Sequence, residues 1–190
     1  MRDADALTGV YDYLMTVAVP MSFDDLLRSK IVYSVSAFDK LIHDLIRVGM
    51  VEIFMGKRQS TPKYLAEPIP LRVAQQLRIT STPPPELLFE QTVRAKLKAL
   101  SFQDPDKVSD GLSYIWNEDY KWQRIATIIG RDEKIARTTL KLITARRNSI
   151  VHEADMDPTT HSKLPITRAE SNGVASFLLD VGNAVCQLVK

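Results

Sequence analysis

The residues best suited to chemistry lie in the stretch LITARRNSIVHEADMDP, residues 142–158. Arranged as a helix, this stretch and the turns before it place Arg147 in the middle of an apolar face. The apolar residues of that face are Ala136, Leu140, Ile143, Ile150 and Ala154. A guanidinium among buried apolar side chains costs roughly several kcal/mol unless it has a partner or borders a cleft. His152, one of three histidines in the chain, follows five residues after this arginine.

These residue types could cleave RNA without a metal ion. A neutral histidine that titrates at about pH 6–7 can act as a general acid or base. The rigid fork of donors on Arg147 can stabilise charge on a phosphoryl group. Asn148, one helical turn before His152, can hold an imidazole tautomer or bind a phosphate oxygen. Arg147 and His152 point roughly 140° apart on an ideal helix, so only the arginine's length or a frayed helix end near Asp155 can bring them together.

Basic residues on the same predicted helix could bind the RNA backbone. Lys141 shares the face of Asn148 and His152, and Arg137 lies close to it. Arg146 lies on the other side of the helix from Asn148, which favours a surface or phosphate contact over a catalytic role.

Structural roles compete with these interpretations. Glu153 and Asp155 favour helix capping and pairing with Arg146 or Arg147 over catalysis. An Arg147 that is paired with Asp155 or Asp39 would explain the charge in the apolar face equally well.

A second polar pair precedes the motif in the chain. Asp39 and His43 are spaced i,i+4 on the polar stripe of an earlier helix, and the pattern leaves open whether they face the same cleft or solvent. The histidines and aspartates of HEADMDPTTH, residues 152–161, match no standard spacing of metal ligands. We therefore predict no metal site and no cofactor.

The elements that would position these residues are helices almost throughout. A helix over about 131–154 carries the motif, a long amphipathic helix begins with Ser22 as its N-cap, and another covers 166–189. Shorter helices are predicted over 4–18, ended by Pro20, around 71–78, over 86–101 and twice more before Gly130, whereas 55–70 is predicted as a loop. Repeats and strand patterns are missing from the sequence. We predict an all-α fold that forms a single domain over 1–190, with long antiparallel helices.

Composition limits the classes of function. The chain has 190 residues, 45% of them apolar and 25% charged, with a net charge of +2. This small net charge gives no global attraction to nucleic acid or membrane, so any RNA site must be a local patch. No window approaches the ~18 unbroken apolar residues of a membrane span, and the first residues lack the apolar core of a secretory signal. We expect a cytoplasmic protein that does not bind membranes.

Another reading of the first third is a winged helix-turn-helix. The stretch LIHDLIRVGMVEIFMGKRQSTPKYLAEP, residues 41–68, could form a recognition helix and a wing. That interpretation requires a helix break near 32–36 and a hairpin at 50–65. Uninterrupted amphipathicity from 23 to 48 argues against it.

The stretch RRNSIVHEADMDP resembles the R-x4-H signature of HEPN-domain ribonucleases, including an asparagine directly after the arginine. The stretches SKIVYSVSAFDKLIHDLIRVGMVEIFMGKRQSTPKYL and SFQDPDKVSD, and PIT before the last helix, resemble the RiboL-PSP-type branch of that superfamily. The similarity extends over nearly the whole chain, in order.

The resemblance implies an all-helical bundle that forms a homodimer, in which two R-x4-H helices meet and build one composite site. It implies a metal-independent endoribonuclease of bacterial defence or toxin systems, with Arg147 and His152 as the catalytic pair and Asn148 as polar support. The expected products are a 2′,3′-cyclic phosphate and a 5′-hydroxyl. An antitoxin or defence-system partner is expected. Ala154 replaces the tyrosine of the subgroup that nucleotidyl transfer silences. A non-catalytic HEPN module that binds RNA or a protein is the alternative.

Overall fold

A computed structural model describes residues 2–17, 22–79 and 81–190. Within these residues the regular elements are nine helices, and the only β pairing is one isolated bridge between Met156 and Lys163. The all-α prediction is confirmed. In chain order the helices are α1 (Arg2–Thr16), α2 (Asp24–Phe54), α3 (Pro62–Leu65), α4 (Leu71–Ile79), α5 (Pro85–Leu97), α6 (Pro105–Leu112), α7 (Lys121–Ile128), α8 (Glu133–His152) and α9 (Arg168–Leu188).

Helix α2 is the centre of the fold and contacts α1, α5, α6, α8 and α9. Its apolar residues recur every three or four positions, so one continuous stripe becomes buried. The stripe consists of Leu27, Ile31, Val35, Phe38, Ile42, Ile46, Met50 and Ile53. The predicted N-cap at Ser22 is wrong by one residue, since Phe23 occupies that position without a side-chain capping bond; the Ser22 hydroxyl still accepts the Asp24 N–H at 3.2 Å.

The winged-helix alternative is wrong. Helix α2 runs without a break through residues 32–36, because Ile31 and Val35 are buried in its apolar stripe and keep the helical spacing. Residues 50–65 form the end of α2, a turn at Gly56 and the short α3, and they contain no strand. The hairpin that a wing requires is therefore missing from this segment.

Helix α8 begins at Glu133, where the Asp132 carboxylate accepts the Ile135 N–H at 3.0 Å. It ends at His152, so the predicted range of 131–154 is two residues too long at each end. Helix α9 begins at Arg168 rather than 166, behind a capping box formed by Thr167 and Glu170.

Other boundaries differ in small ways. Helix α5 ends at Leu97 rather than 101, and the predicted loop over 55–70 contains α3, which is capped by Thr61. Helix α1 ends at Thr16, whereas the predicted role of Pro20 lies outside the described residues. None of the helices in the described ranges is both long and apolar enough to cross a lipid bilayer.

Candidate active site at the end of α8

The first half of α8 packs as the sequence predicts. Ala136 and Leu140 are fully buried and Ile143 is 6% exposed. The helix contacts α2 and α7 through this face. One turn later the same face reaches Arg147 and Ile150, and both are only half-buried. The core therefore ends along α8 where the motif begins.

Arg147 lies at the border between core and surface. Its Nη1 donates a hydrogen bond to the Asn148 side-chain oxygen at 3.0 Å. Its Nε is buried and has no hydrogen-bond acceptor among the described residues. The predicted pairing of Arg147 with Asp155 or Asp39 does not occur. Asp39 Oδ1 accepts the Phe102 N–H, and Asp155 accepts Arg28 and Arg146 at Oδ2, while its Oδ1 has no hydrogen-bond partner among the described residues. The alternative in which an ion pair with one of these carboxylates explains Arg147 is therefore wrong.

His152 is the last residue of α8 and is exposed. Its ring makes no hydrogen bond within the described ranges, so Arg147 and His152 do not bond to each other in one chain. Asn148 lies one turn before His152 and is also exposed, as the predicted shared face requires. The structure thus brings Arg147 and Asn148 together and leaves His152 beside them without a direct bond.

Arg146 is half-buried and forms an ion pair, whereas the sequence favoured a surface or phosphate contact for it. Its Nη2 lies 2.8 Å from Asp155 Oδ2, and the same oxygen accepts Arg28 Nε at 2.7 Å. Asp155 is fully buried. The predicted structural role of Asp155 as a partner of Arg146 or Arg147 is confirmed for Arg146. Arg28 also donates to Asp25 at 3.2 Å, so the two arginines contact two carboxylates in this region.

Glu153 occupies the C-cap position of α8. Its backbone N–H donates to the Ser149 carbonyl at 2.9 Å, and its Oε2 accepts the Ser149 hydroxyl at 3.2 Å. The predicted capping role agrees with these bonds. No ion pair joins Glu153 to an arginine in the part of the chain that the structure describes.

The loop after the motif has its own ordered turn at Asp157. Its Oδ1 accepts the backbone N–H groups of Thr159 and Thr160 at 2.8 and 2.9 Å. The hydrogen bonds from Thr160 and Thr159 lower the pKa of Asp157 below its ordinary value. This carboxylate is committed to the loop and does not face the arginines.

Lys141 and Arg137 lie on the first half of α8, where both form ion pairs with Asp106 near the start of α6. Eleven residues separate Lys141 from His152, which is about 16 Å along a helix axis. The two basic residues therefore extend away from the motif along one surface. Asp106 neutralises part of their charge, which the sequence pattern did not predict.

Asp39 and His43 belong to a different contact. Asp39 Oδ1 accepts the Phe102 N–H at 2.5 Å, and Asp39 Oδ2 lies 3.7 Å from His43 Nε2. The His43 ring packs edge-on against Phe102, with 4.6 Å between ring centroids. No hydrogen bond or ion pair in the described residues joins this pair to the motif. Asp39 and His43 both contact Phe102, in the segment that leads into α6, and Thr144 of α8 bonds the next residue of that segment, Gln103.

No group of three or more His, Cys, Asp or Glu side chains in residues 2–17, 22–79 and 81–190 is arranged to hold a metal ion. A cavity of about 740 Å³ lies between α4 and α5, on a part of the surface that includes none of the motif residues. Asn148 and His152 are exposed, so chemistry at the end of α8 would take place at the protein surface.

Arg28 is the residue of this region that sequence analysis missed. It is 6% exposed and joins α2 to the loop after α8 through Asp155. A signal was present, because Arg28 lies between the buried Leu27 and Ile31 and is therefore a charge at the edge of an apolar stripe.

Comparisons of the chain with protein-family profiles, with curated proteins and with solved structures found no match.

Proposed function

We propose that this protein is a metal-independent endoribonuclease of the HEPN type, with its active site at the last two turns of α8. The observation that carries the proposal is the position of Arg147. Its guanidinium is held at the rim of the core by Asn148, with an exposed histidine one turn further along the same helix.

The buried Nε of Arg147 favours an anionic ligand at this position. A buried N–H without a partner costs about 1–3 kcal/mol, so such groups are rarely retained without a role. This Nε is closed to solvent in the structure, so a phosphate oxygen could accept its N–H only after the Arg147 side chain turns outward, and it would then use the geometry of the guanidinium fork. RNA supplies that group at every nucleotide.

A homodimer is part of the proposal, because Arg147 and His152 do not meet within one chain. The outer face of α8 carries residues at alternating spacings of three and four, the pattern of a helix-pairing surface. These residues, which we call the α8 outer stripe, are Ile135, Thr138, Leu142, Ala145, Ser149 and His152. Ile135 is 57% exposed and Leu142 is 65% exposed, so their burial would favour association with a second α8.

In the proposed reaction the RNA 2′-hydroxyl attacks the adjacent phosphorus, and the bond from phosphorus to the 5′-oxygen breaks. His152 accepts the proton of the 2′-hydroxyl or donates one to the leaving 5′-oxygen. Arg147 stabilises the extra negative charge of the pentacoordinate phosphorane, and Asn148 orients the guanidinium. The products are a 2′,3′-cyclic phosphate and a 5′-hydroxyl.

Lys141 and Arg137 extend the site along α8 as phosphate contacts, in competition with Asp106. Arg146 supports the site through its ion pair with Asp155. A role in bacterial defence or in a toxin system, with a neutralising protein partner, is the biological setting that the HEPN resemblance supports.

A non-catalytic module that binds RNA or a protein through the same surface is the second candidate. The missing contact between Arg147 and His152 in the described single chain favours it, since binding needs no such contact. Function depends on the site rather than on the fold, so the two candidates require separate readouts of cleavage and affinity.

The experiment incubates purified protein with single-stranded and structured RNA in EDTA and measures both cleavage and RNA binding. The variants are Arg147→Ala and His152→Ala, with His161→Ala as the control for an exposed histidine and Arg78→Ala for an exposed arginine. The enzyme predicts cleavage by wild type and both controls, and none by the two site variants. His152→Ala should still bind RNA, because its loss affects turnover rather than affinity.

RNA that is retained but not cut by any form of the protein would favour the binding module. Cleavage that EDTA abolishes would contradict the proposed mechanism.

A further inference from the structure

The turn that follows His152 is organised around one buried carboxylate. Asp155 is fully buried, and its Oδ2 accepts hydrogen bonds from Arg28 of α2 at 2.7 Å and from Arg146 of α8 at 2.8 Å. We call these three residues the Asp155 cluster. Its Oδ1 is buried without a hydrogen-bond partner among the described residues, so the two arginines at Oδ2 supply the charge compensation that a carboxylate at this depth needs.

The backbone of Asp155 is fixed as firmly as its side chain. Its N–H donates to the Ser149 carbonyl at 3.0 Å, and its carbonyl accepts the Leu164 N–H at 2.8 Å. Ala154 and Asp155 have φ angles of 52° and 59°, in the left-handed region that non-glycine residues rarely occupy. Such a conformation persists only where the surrounding contacts enforce it.

The arginines of the cluster extend these constraints to the far end of the loop. Arg28 Nη2 donates to the Leu164 carbonyl at 2.5 Å, and Arg146 Nη2 donates to the Pro165 carbonyl at 3.0 Å. The cluster therefore joins α2, the last turns of α8 and both ends of the 155–165 segment. Several parallel bonds therefore fix the end of α8 to α2 and to the loop.

His152 depends on this arrangement more than on contacts of its own. It lies three residues before Asp155, at the last position of the helix, and its ring makes no hydrogen bond to any residue that the structure describes. Its location is therefore set by the backbone of the helix end. A displacement of about 1 Å in a catalytic group can reduce a rate about 100-fold.

We propose that Asp155 is a positioning residue, which holds the end of α8 so that His152 stays at its site. This proposal rests on the proposed ribonuclease function, since it assigns a purpose to the location of His152. Asp155 acts through Arg28 and Arg146 and does not contact the substrate.

The test compares Asp155→Asn with Ser162→Ala. Asparagine keeps the shape of Asp155 but removes the charge that both arginines contact. Ser162 lies in the same loop, where its hydroxyl bonds the Thr160 hydroxyl at 2.8 Å, so its loss cuts an exposed loop contact that involves no residue of the cluster. Three quantities are measured below the unfolding transition: kcat and KM for RNA, amide hydrogen exchange at residues 153–155, and the NMR signals of the His152 ring.

We expect kcat of Asp155→Asn to fall about 10- to 100-fold with KM nearly unchanged, because the residue orients a catalytic group and does not bind RNA. Amide exchange at residues 153–155 should become about tenfold faster, and the His152 ring signals should shift. Ser162→Ala should behave as wild type in all three measurements. Arg146→Lys, which keeps one cation beside the carboxylate, should recover more activity than Arg146→Ala.

Faster exchange in Asp155→Asn together with an unchanged kcat would overturn the positioning role and leave the ribonuclease proposal intact. Wild-type protein that cuts no RNA would contradict the ribonuclease, and the exchange and ring signals would still decide whether Asp155 fixes His152. If Asp155→Asn does not fold, Arg146→Ala takes its place, because Arg146 is 29% exposed and its loss leaves the Arg28 pair in place.

Discussion

The first half of α8 buries Ala136, Leu140 and Ile143 against α2 and α7, whereas the second half presents an arginine, an asparagine and a histidine near the surface. Apolar packing fixes the first half. The second half is fixed by ion pairs, with Asp155 between two arginines.

The two halves of α8 are thus held by different interactions, the first by apolar packing and the second by ion pairs. If this surface binds phosphate, as we propose, apolar burial cannot hold it, since burying it would exclude the ligand. Charged contacts beside the surface hold it in place instead and keep its guanidinium at the rim. Such local departures from good packing are typical of functional sites.

The largest difference between the two halves of α8 is expected for a substitution of His152. His152→Ala should reduce RNA cleavage by about 10²–10⁴-fold, because a general acid–base contributes that much. The free energy of unfolding should change by less than about 0.5 kcal/mol, since His152 is exposed. Cleavage assays and chemical denaturation check the two halves of the prediction. A large loss of stability would show that His152 belongs to the packed half.

Leu140→Ala should have the opposite profile. Leu140 is fully buried, so its truncation should lower the free energy of unfolding by about 2–5 kcal/mol. RNA cleavage by the folded protein should fall far less than in His152→Ala. Urea titrations followed by circular dichroism measure the first effect. An unchanged midpoint would contradict the packing of α8 against α2.

Leu142, two residues after the buried Leu140, tests whether the exposed side of α8 forms the proposed dimer interface. It is 65% exposed on the α8 outer stripe, so Leu142→Asp should leave the protomer folded. It should shift the protein from dimer to monomer in sedimentation experiments and lower cleavage at dilute protein concentration. A stable dimer in this variant would exclude the α8 outer stripe as the interface.

Arg137 and Lys141 test how far the charged surface extends. The double substitution Arg137→Ala, Lys141→Ala should weaken RNA binding and reduce the salt dependence of affinity by about 0.7 per lost phosphate contact to single strands. Affinity measured over a salt series gives this slope. An unchanged slope would mean that Asp106 already occupies both side chains.

Glu67, which is half-buried and pairs with Lys96 of α5, is expected to give a smaller, pH-dependent effect on stability. Burial alone would raise the pKa of Glu67, but hydrogen bonds from Lys96 and Tyr114, with the charges of Lys96 and Lys63, outweigh it and lower this pKa below its ordinary value of 4.5. The stabilisation is therefore present above pH 4.5 and is lost as pH falls through the folded-state pKa. Glu67→Gln should lower Tm at neutral pH, and the difference from wild type should shrink below that pH.

Much of this fold could be predicted from the sequence, because the helical spacing of apolar residues shows which face of each helix is buried. The buried stripe of α2 and the first half of α8 follow directly from the spacing of Leu27, Ile31, Leu140 and Ile143. Errors were concentrated at helix ends, because capping residues rather than apolar spacing determine where a helix stops. An example is the end of α5 at Leu97.

Side-chain partners were harder to predict than helices. The sequence marked Asp155 and Arg146 but could not pair them with Arg28, which is 127 residues away from Asp155 in the chain. Similarly, nothing local to Asp39 indicates that it binds the backbone of Phe102. Contacts between distant elements depend on how the helices cross, and periodicity does not encode that.

The most direct test of the central claim is the chemistry of the RNA ends that wild-type protein produces in EDTA. The account predicts a 2′,3′-cyclic phosphate on one fragment and a 5′-hydroxyl on the other, because the 2′-hydroxyl is the nucleophile and His152 the proton carrier. A 5′-phosphate on the products would contradict it, since that end requires water to attack in place of the 2′-hydroxyl.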